Sequence, residues 1–125
     1  MKYAIYQIQF TTAQYNLINA KGHDAVPAQV AKLNMTMDFS GNRIGGLAYD
    51  AFKAGYYTHV ANIEANTPNE VFEIGNIGPE ESIERLTRMS SVSVGDVIVD
   101  EEGQCIVVAS VGFVAFSFNP KMAAA

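Results

Sequence analysis

Residues 88–118, RMSSVSVGDVIVDEEGQCIVVASVGFVAFSF, decide the fold. Gly95-Asp96 opens a strand at Val97-Ile98-Val99, and Asp100-Glu101-Glu102-Gly103 turns the chain, because Asp favours turns and Gly accepts a positive φ. The strand that follows is expected over Gln104–Val111. Gly112 permits a second reversal into Phe113–Phe118, where Phe113, Ala115 and Ser117 alternate with Val114, Phe116 and Phe118. Val, Ile and Phe suit a pleated, half-buried surface. The stretch therefore predicts a three-strand antiparallel meander on which the other elements pack.

Outward from the meander, Pro79–Arg88 carries Ile83 and Leu86 at helical spacing, with Glu81-Arg85 and Glu84-Arg88 as i,i+4 pairs, and predicts an amphipathic helix. Thr67-Pro68-Asn69-Glu70 is a helix start: a capping hydroxyl, a proline in the first turn and a Glu placed to reach back to the cap amide. That helix should end near Gly75-Asn76. Tyr56–Ala65 predicts a strand with His59, Ala61 and Ile63 on one face. Leu47–Lys53 predicts a helix stopped by Gly55, and Asp38–Gly46, with three glycines, predicts a loop. Pro27 to about Met35 predicts another helix, and Thr11 or Thr12 caps a shorter one that ends at Lys21-Gly22.

At the start, Tyr3–Phe10 predicts a strand with Ala4, Tyr6, Ile8 and Phe10 on one face and a less buried set, Tyr3, Ile5, Gln7 and Gln9, on the other. The order β, helices, β, helices, β-β-β implies an α+β fold: a mainly antiparallel sheet of about five strands with short helices on one face. Residues 1–120 are expected to form a single domain, and 121–125 a disordered tail or cloning scar.

The totals restrict function. A chain of 125 residues is long enough to bury a core without a metal or disulfide. Its formal charge of −5, from 13 acidic and 8 basic residues, gives no basic footprint for nucleic acid or for an anionic membrane surface. No apolar run reaches the ~18 residues of a membrane span, and the host cytoplasm is the expected location. The single cysteine, Cys105, sits among Ile106, Val107 and Val108 and is expected to be a buried thiol. The sequence GNRIGG lacks the Gly-Lys-Ser/Thr ending of a phosphate loop. Neither His23 nor His59 has a sequence neighbour at metal-ligand or base–nucleophile spacing, so no cofactor and no metal are expected.

One pattern spans more of the chain. Val71-Phe72-Glu73-x-x-Asn76, then Ser91-Val92-Ser93-Val94-Gly95-Asp96-Val97-Ile98, then a hairpin and Gly112-Phe113 resembles a group of small uncharacterised proteins of phages, prophages and conjugative elements, and more loosely the YodL-like domains of mobile elements. The resemblance covers roughly 58–116. In that group an Arg often precedes the first Ser; here Ser90 stands there, with Arg88 two residues earlier. The resemblance implies origin and carries no activity.

Read from their chemistry alone, Ser91 and Ser93 can bond nearby backbone, Gly95-Asp96 can form a turn, and Asn76 can adopt a left-handed conformation or close the helix before it. With Arg88 and His59 these four are the candidate binding residues. A pocket gathering His59, Asp96 and Arg88 would favour an enzyme, and a Cys105–His59 dyad is geometrically possible between strands, though it is not the expected arrangement.

The expected function is that of a phage or mobile-element accessory protein acting on a host or phage protein, or on itself. A small virion or assembly component is the alternative, with a small-molecule or nucleotide-binding module or an enzyme third. Self-association is expected because the last three strands carry apolar residues on both faces. Helices on one side would leave the other set for a second copy, most simply a closed dimer.

Overall fold

The first strand is the spine of the molecule. In the computed structural model, which describes residues 1–117, β1 (Lys2–Ile8) lies between β2 (Tyr57–Glu64) and β4 (Val97–Val99). With β3 (Ile83–Arg85), β5 (Cys105–Val108) and β6 (Phe113–Phe116) they form one antiparallel sheet ordered β3-β2-β1-β4-β5-β6. The fold is α+β, with six strands rather than five. The meander is β4-β5-β6, and β1 continues it through the pairs Ala4↔Val99, Ile5↔Ile98 and Tyr6↔Val97. Phe118 and the tail at 121–125 lie outside the described residues.

Four helices fill the connections: α1 (Thr12–Lys21), α2 (Pro27–Thr36), α3 (Ile44–Lys53) and α4 (Pro68–Ile77). Thr11 and Gln14 form a reciprocal capping box on α1, while Thr67 caps α4 by accepting from the Glu70 amide at 3.2 Å. The Glu70 carboxylate does not complete the second half of that box. Helix α3 starts inside the expected loop. Asp38 accepts from the amides of Arg43 at 2.9 Å and Ile44 at 2.8 Å, satisfying first-turn donors from outside the helix, so Gly45 and Gly46 are helical.

The expected helix at 79–88 is a single 3-10 turn, Glu80–Ser82, followed by β3. Ile83 pairs with Ile63 on the sheet, so its apolar side chain is used by a strand, and Leu86 stays 49 % exposed. The expected i,i+4 ion pairs do not form; Arg85 pairs instead with Glu80, Nε to Oε1 at 2.5 Å.

Helices cover both faces of the sheet, not one. Tyr6, Ile8, Val97, Val99, Cys105 and Val107 pack under Met35 of α2 and Ile44, Ala48, Ala51 and Phe52 of α3. On the second face Ile5, Ala61, Ile63 and Ile98 meet Val71 and Ile74 of α4 together with Val92. Tyr3, Ile5 and Gln7 are accordingly buried, against the lower burial expected of that face.

A bulge in β2 sets the division. Register shifts between Ile5↔Ala61 and Tyr6↔His59, leaving Val60 as the extra residue. The extra residue flips the side-chain alternation, so His59 lies against Tyr6 while Ala61 and Ile63 serve the opposite cluster. The uniform face expected for His59, Ala61 and Ile63 is broken at this point. The Val60 carbonyl accepts from the amides of Leu86 at 2.9 Å and Thr87 at 3.2 Å, which ends β3.

Candidate functional site

The turn before β4 is held from three sides. Gly95 takes φ +92°, a conformation that favours glycine, and this reverses Ser93–Asp96. Asp96 donates its amide to the Ser93 carbonyl at 3.0 Å, while its Oδ2 accepts from the Ser93 amide at 2.9 Å. From β1, Gln7 Nε2 donates to the same carboxylate oxygen at 3.0 Å. From β2, the Tyr57 hydroxyl donates to the Gly95 carbonyl at 2.6 Å. From β5, the Val108 carbonyl accepts from the Gly95 amide at 2.8 Å and the Val108 amide donates to the Asp96 carbonyl at 2.9 Å.

Burial governs the electrostatics here. Asp96 is only 5 % exposed, and loss of water pushes its carboxyl up to about 6, against the opposing pull of the Ser93 amide, the Gln7 amide and Lys32. Burial also raises the Tyr57 phenol far above its ordinary range, with the neighbouring Asp96 charge adding to the effect. Among the described residues Asp96 Oδ1 has no hydrogen-bond partner, and Asp96 forms part of the wall of an open cleft of about 360 Å³. Lys32 and Arg88 also line that cleft. The Lys32 ammonium lies over the Phe10 ring, 5.6 Å from its centroid.

The six candidate residues do not converge. Arg88, Ser93 and Asp96 share the cleft. Asn76 and Ser91 line a separate depression at the end of α4. Asn76 Nδ2 donates to the carbonyls of Phe72 at 2.8 Å and Val92 at 3.0 Å, so it closes the helix end and ties it to the Ser91–Ser93 segment without a positive φ. Among the described residues neither the Ser91 nor the Ser93 hydroxyl bonds nearby backbone; the Ser93 amide, which donates to Asp96, is the group that matters. His59 stacks on Tyr6 at 4.8 Å between centroids and bonds Asn62, away from the cleft.

Cys105 is buried on β5, and β1 and β4 lie between it and β2, which puts the Cys105 and His59 strands about 14 Å apart at ~4.8 Å per strand. The dyad does not form. Among the described residues no group of three His, Cys, Asp or Glu is placed to hold a metal ion, and no helix is long and apolar enough to cross a membrane.

Two residues central to this turn were not candidates from sequence, Gln7 and Tyr57. Gln7 carried a signal: it is a polar residue in register with Tyr3 and Ile5, and a buried amide must find partners. Nothing local marked Tyr57, whose acceptor is 38 residues away.

A second feature lies at the far side of the sheet. β6 is a terminal strand in the sheet order, and no Asp, Glu, Lys or Arg occurs from Gly103 to Ser117. Large apolar side chains stand exposed around it: Val111 in the β5–β6 turn is 88 % exposed, and Phe39, in the loop between α2 and α3, 71 %. That loop closes on β6 at Gly41, where an added Cβ would stand 3.9 Å from Val114. The opposite edge, β3, carries Glu84 and Arg85, each held by a polar partner.

Comparison with protein-family models, with curated proteins and with solved structures finds no match for this chain.

Proposed function

We propose that this chain is an accessory protein of a phage or other mobile element, working in the host cytoplasm through protein contact, and that its first contact is with a second copy of itself. The origin rests on the resemblance carried by Ser91–Ile98. Self-association rests on the β6 edge. A terminal strand offers a row of backbone donors and acceptors, and edges are ordinarily blunted by charge, proline or a bulge. β3 is blunted by Glu84 and Arg85, whereas Phe113–Phe116 carries no charge and is approached by the loop at Gly41 and the first turn of α3 at Gly45.

A second copy is the fitting occupant because an antiparallel edge is complementary to itself across a two-fold axis. Each copy carries −5, so approach through the acidic faces is opposed, and the uncharged edge is where two copies meet at least electrostatic cost. On the second face the half-buried Phe113 of β6 packs at the margin of the cluster that α4 and Val92 cover, and Ala115 beside it is exposed.

Light scattering coupled to size exclusion tests this. The expected mass is twice the 13.5 kDa of the chain, falling to the single-chain mass in Ala115→Lys, which places a charge on the edge at an exposed position. A single-chain mass for the parent at every accessible concentration, or a dimer indifferent to Ala115→Lys, would overturn it.

A further inference from the structure

A groove on the second sheet face lies apart from both the Asp96 turn and the β6 edge. Its floor is Tyr3, Ile98 and Ile106, one wall is Pro68 at the start of α4, and its rim is Asp100 and Glu102 from the β4–β5 turn. The groove measures about 260 Å³, below the ~300–1,000 Å³ of typical enclosed ligand sites. Its shape suits side chains from an extended segment better than a small molecule held on all sides.

Carboxylates outnumber cations around this apolar floor; Met1, whose ammonium is paired with Glu64, also lines the groove. Asp100, Glu70 and Glu101 all act on the Tyr3 hydroxyl and add to the effect of burial in raising it above its ordinary range. Glu64, Glu101 and Glu70 act on the Met1 ammonium. No Lys or Arg side chain lines the groove, and Lys2, one residue from Tyr3, alternates to the other face of β1. Three of the carboxylates have partners within the chain. Glu64 pairs with the Met1 ammonium at 2.8 Å, Glu101 accepts from the Lys2 amide at 2.5 Å, and Asp100 Oδ1 accepts from the amides of Glu102 and Gln104, both at 2.9 Å. Glu70 and Glu102 have no ion pair among the described residues.

We propose that this groove receives an extended segment of a second protein in which apolar side chains are flanked by lysine or arginine. The apolar side chains rest on the half-buried Ile106 and Pro68, above the buried Tyr3 and Ile98, and the cations meet Glu70 from the α4 side and Glu102 from the turn side. Charge complementarity selects this occupant. Phosphate-bearing partners are repelled by the same carboxylates, and a second copy of a chain with net charge −5 is disfavoured here.

The test uses the full chain, isotopically labelled, titrated in low salt with a blocked Arg-Lys-Leu-Ile-Lys-Arg peptide and followed by amide chemical shifts. Tyr3, Ile98 and Ile106 are expected to shift. Replacing Leu and Ile of the peptide by Ser, or introducing Glu70→Gln with Glu102→Gln, should each weaken binding about tenfold, the size expected for two exposed ion pairs or for lost apolar contact. Neither Glu is buried, so the variant retains its fold. Several results would overturn the proposal: affinity unchanged in the double Gln variant, equal binding of a peptide with Glu in place of every cation, or no shifts at millimolar peptide. Movement of the same amides on simple dilution would assign the groove to a second copy, and movement with magnesium alone would assign it to a metal; either would overturn it too. The chain mass is read separately, so failure here leaves the β6 dimer standing, and the reverse.

Discussion

The side chain of Gln7 pairs with the backbone of Ser90 through two hydrogen bonds, Nε2 donating to the carbonyl at 2.9 Å and Oε1 accepting from the amide at 3.0 Å. A side-chain amide carries the same donor and acceptor as a peptide group, so Gln7 gives the irregular segment before β4 the pairing that a neighbouring strand would otherwise supply. Nε2 has a second proton, and that proton reaches Asp96. One buried side chain thus connects β1 to both ends of the Ser90–Asp96 segment.

Gln7→Leu keeps approximate volume and removes all three bonds. Ser90 would lose partners for its amide and carbonyl, and Asp96 would lose a donor while still buried. With unsatisfied buried groups costing about 1–3 kcal/mol each, a loss on the order of 3 kcal/mol is expected in urea unfolding. A loss below about 1 kcal/mol would show that water replaces the amide at this point.

Asp96 should make stability rise as the solution is acidified from about pH 6 towards pH 4. Its folded carboxyl is raised to about 6 from an ordinary 3.8, so the folded protein binds a proton that the unfolded chain releases between those values. The cost of holding the buried charge is absent below about pH 4, grows between 4 and 6, and is complete above. Two units correspond to about 3 kcal/mol as an order of magnitude. Asp38 and Glu80 act in the opposite direction, because hydrogen bonds from the Arg43 amide and from the Arg85 side chain hold their carboxyls below the ordinary range. They lose their contribution at lower pH. Lys32, Arg88 and Tyr57 are the other ionisable groups around Asp96. Melting of the parent relative to Asp96→Asn, followed from pH 5 to 7, isolates the effect: the parent should lose stability against the variant as pH rises. A constant difference would mean that Asp96 keeps its ordinary acidity.

Local chemistry explains which parts of this fold were legible. The turn at Asp100–Gly103 and the start of α4 at Thr67-Pro68 are written within four residues, and both occur where expected. The stretch 79–88 misleads because Ile83 and Leu86 fit a helix face equally well, and only the pairing Ile83↔Ile63 assigns the first of them to a strand. The bulge at Val60 could not be read, since it depends on a shift of register between β1 and β2. At the candidate site, Asp96 was visible because Gly-Asp before a Val-Ile-Val run is a turn into a strand. Its partners Gln7 and Tyr57 come from strands far away in sequence. Arg88 and His59 stood out only by type, and the sheet places them apart.

Thr67 holds the first turn of α4 through its hydroxyl alone, accepting from the Glu70 amide. Thr67→Ala should cost about 1 kcal/mol and Thr67→Ser much less. Equal losses would shift the role to the Thr methyl group.

Val107 is fully buried on β5, between β4 and β6, and packs in the α2–α3 core. Val107→Asp puts a carboxylate there without a partner, a change expected to cost several kcal/mol and to leave little soluble protein. An unchanged melting midpoint would contradict the central place of this strand.

Gly75 and Val92 set how closely α4 approaches the sheet. A Cβ added at Gly75 would lie 2.3 Å from Val92 Cγ2 and 3.2 Å from its Cβ, and Val92 is only 1 % exposed, with no room to retreat. Two effects oppose each other in Gly75→Ala. The helix gains roughly 1 kcal/mol of propensity, whereas overpacking a tight core contact costs about 1–3 kcal/mol. The contact is far inside van der Waals range, so the clash should win and the single variant should be less stable. Val92→Ala alone leaves a void and is also destabilising. Combined, the two alanines fit the space that one glycine and one valine share, so the double variant should be more stable than the sum of the single losses predicts, by 1 kcal/mol or more in a double-mutant cycle. Additive losses would show that α4 shifts away from Val92 and that Gly75 does not fix its distance from the sheet.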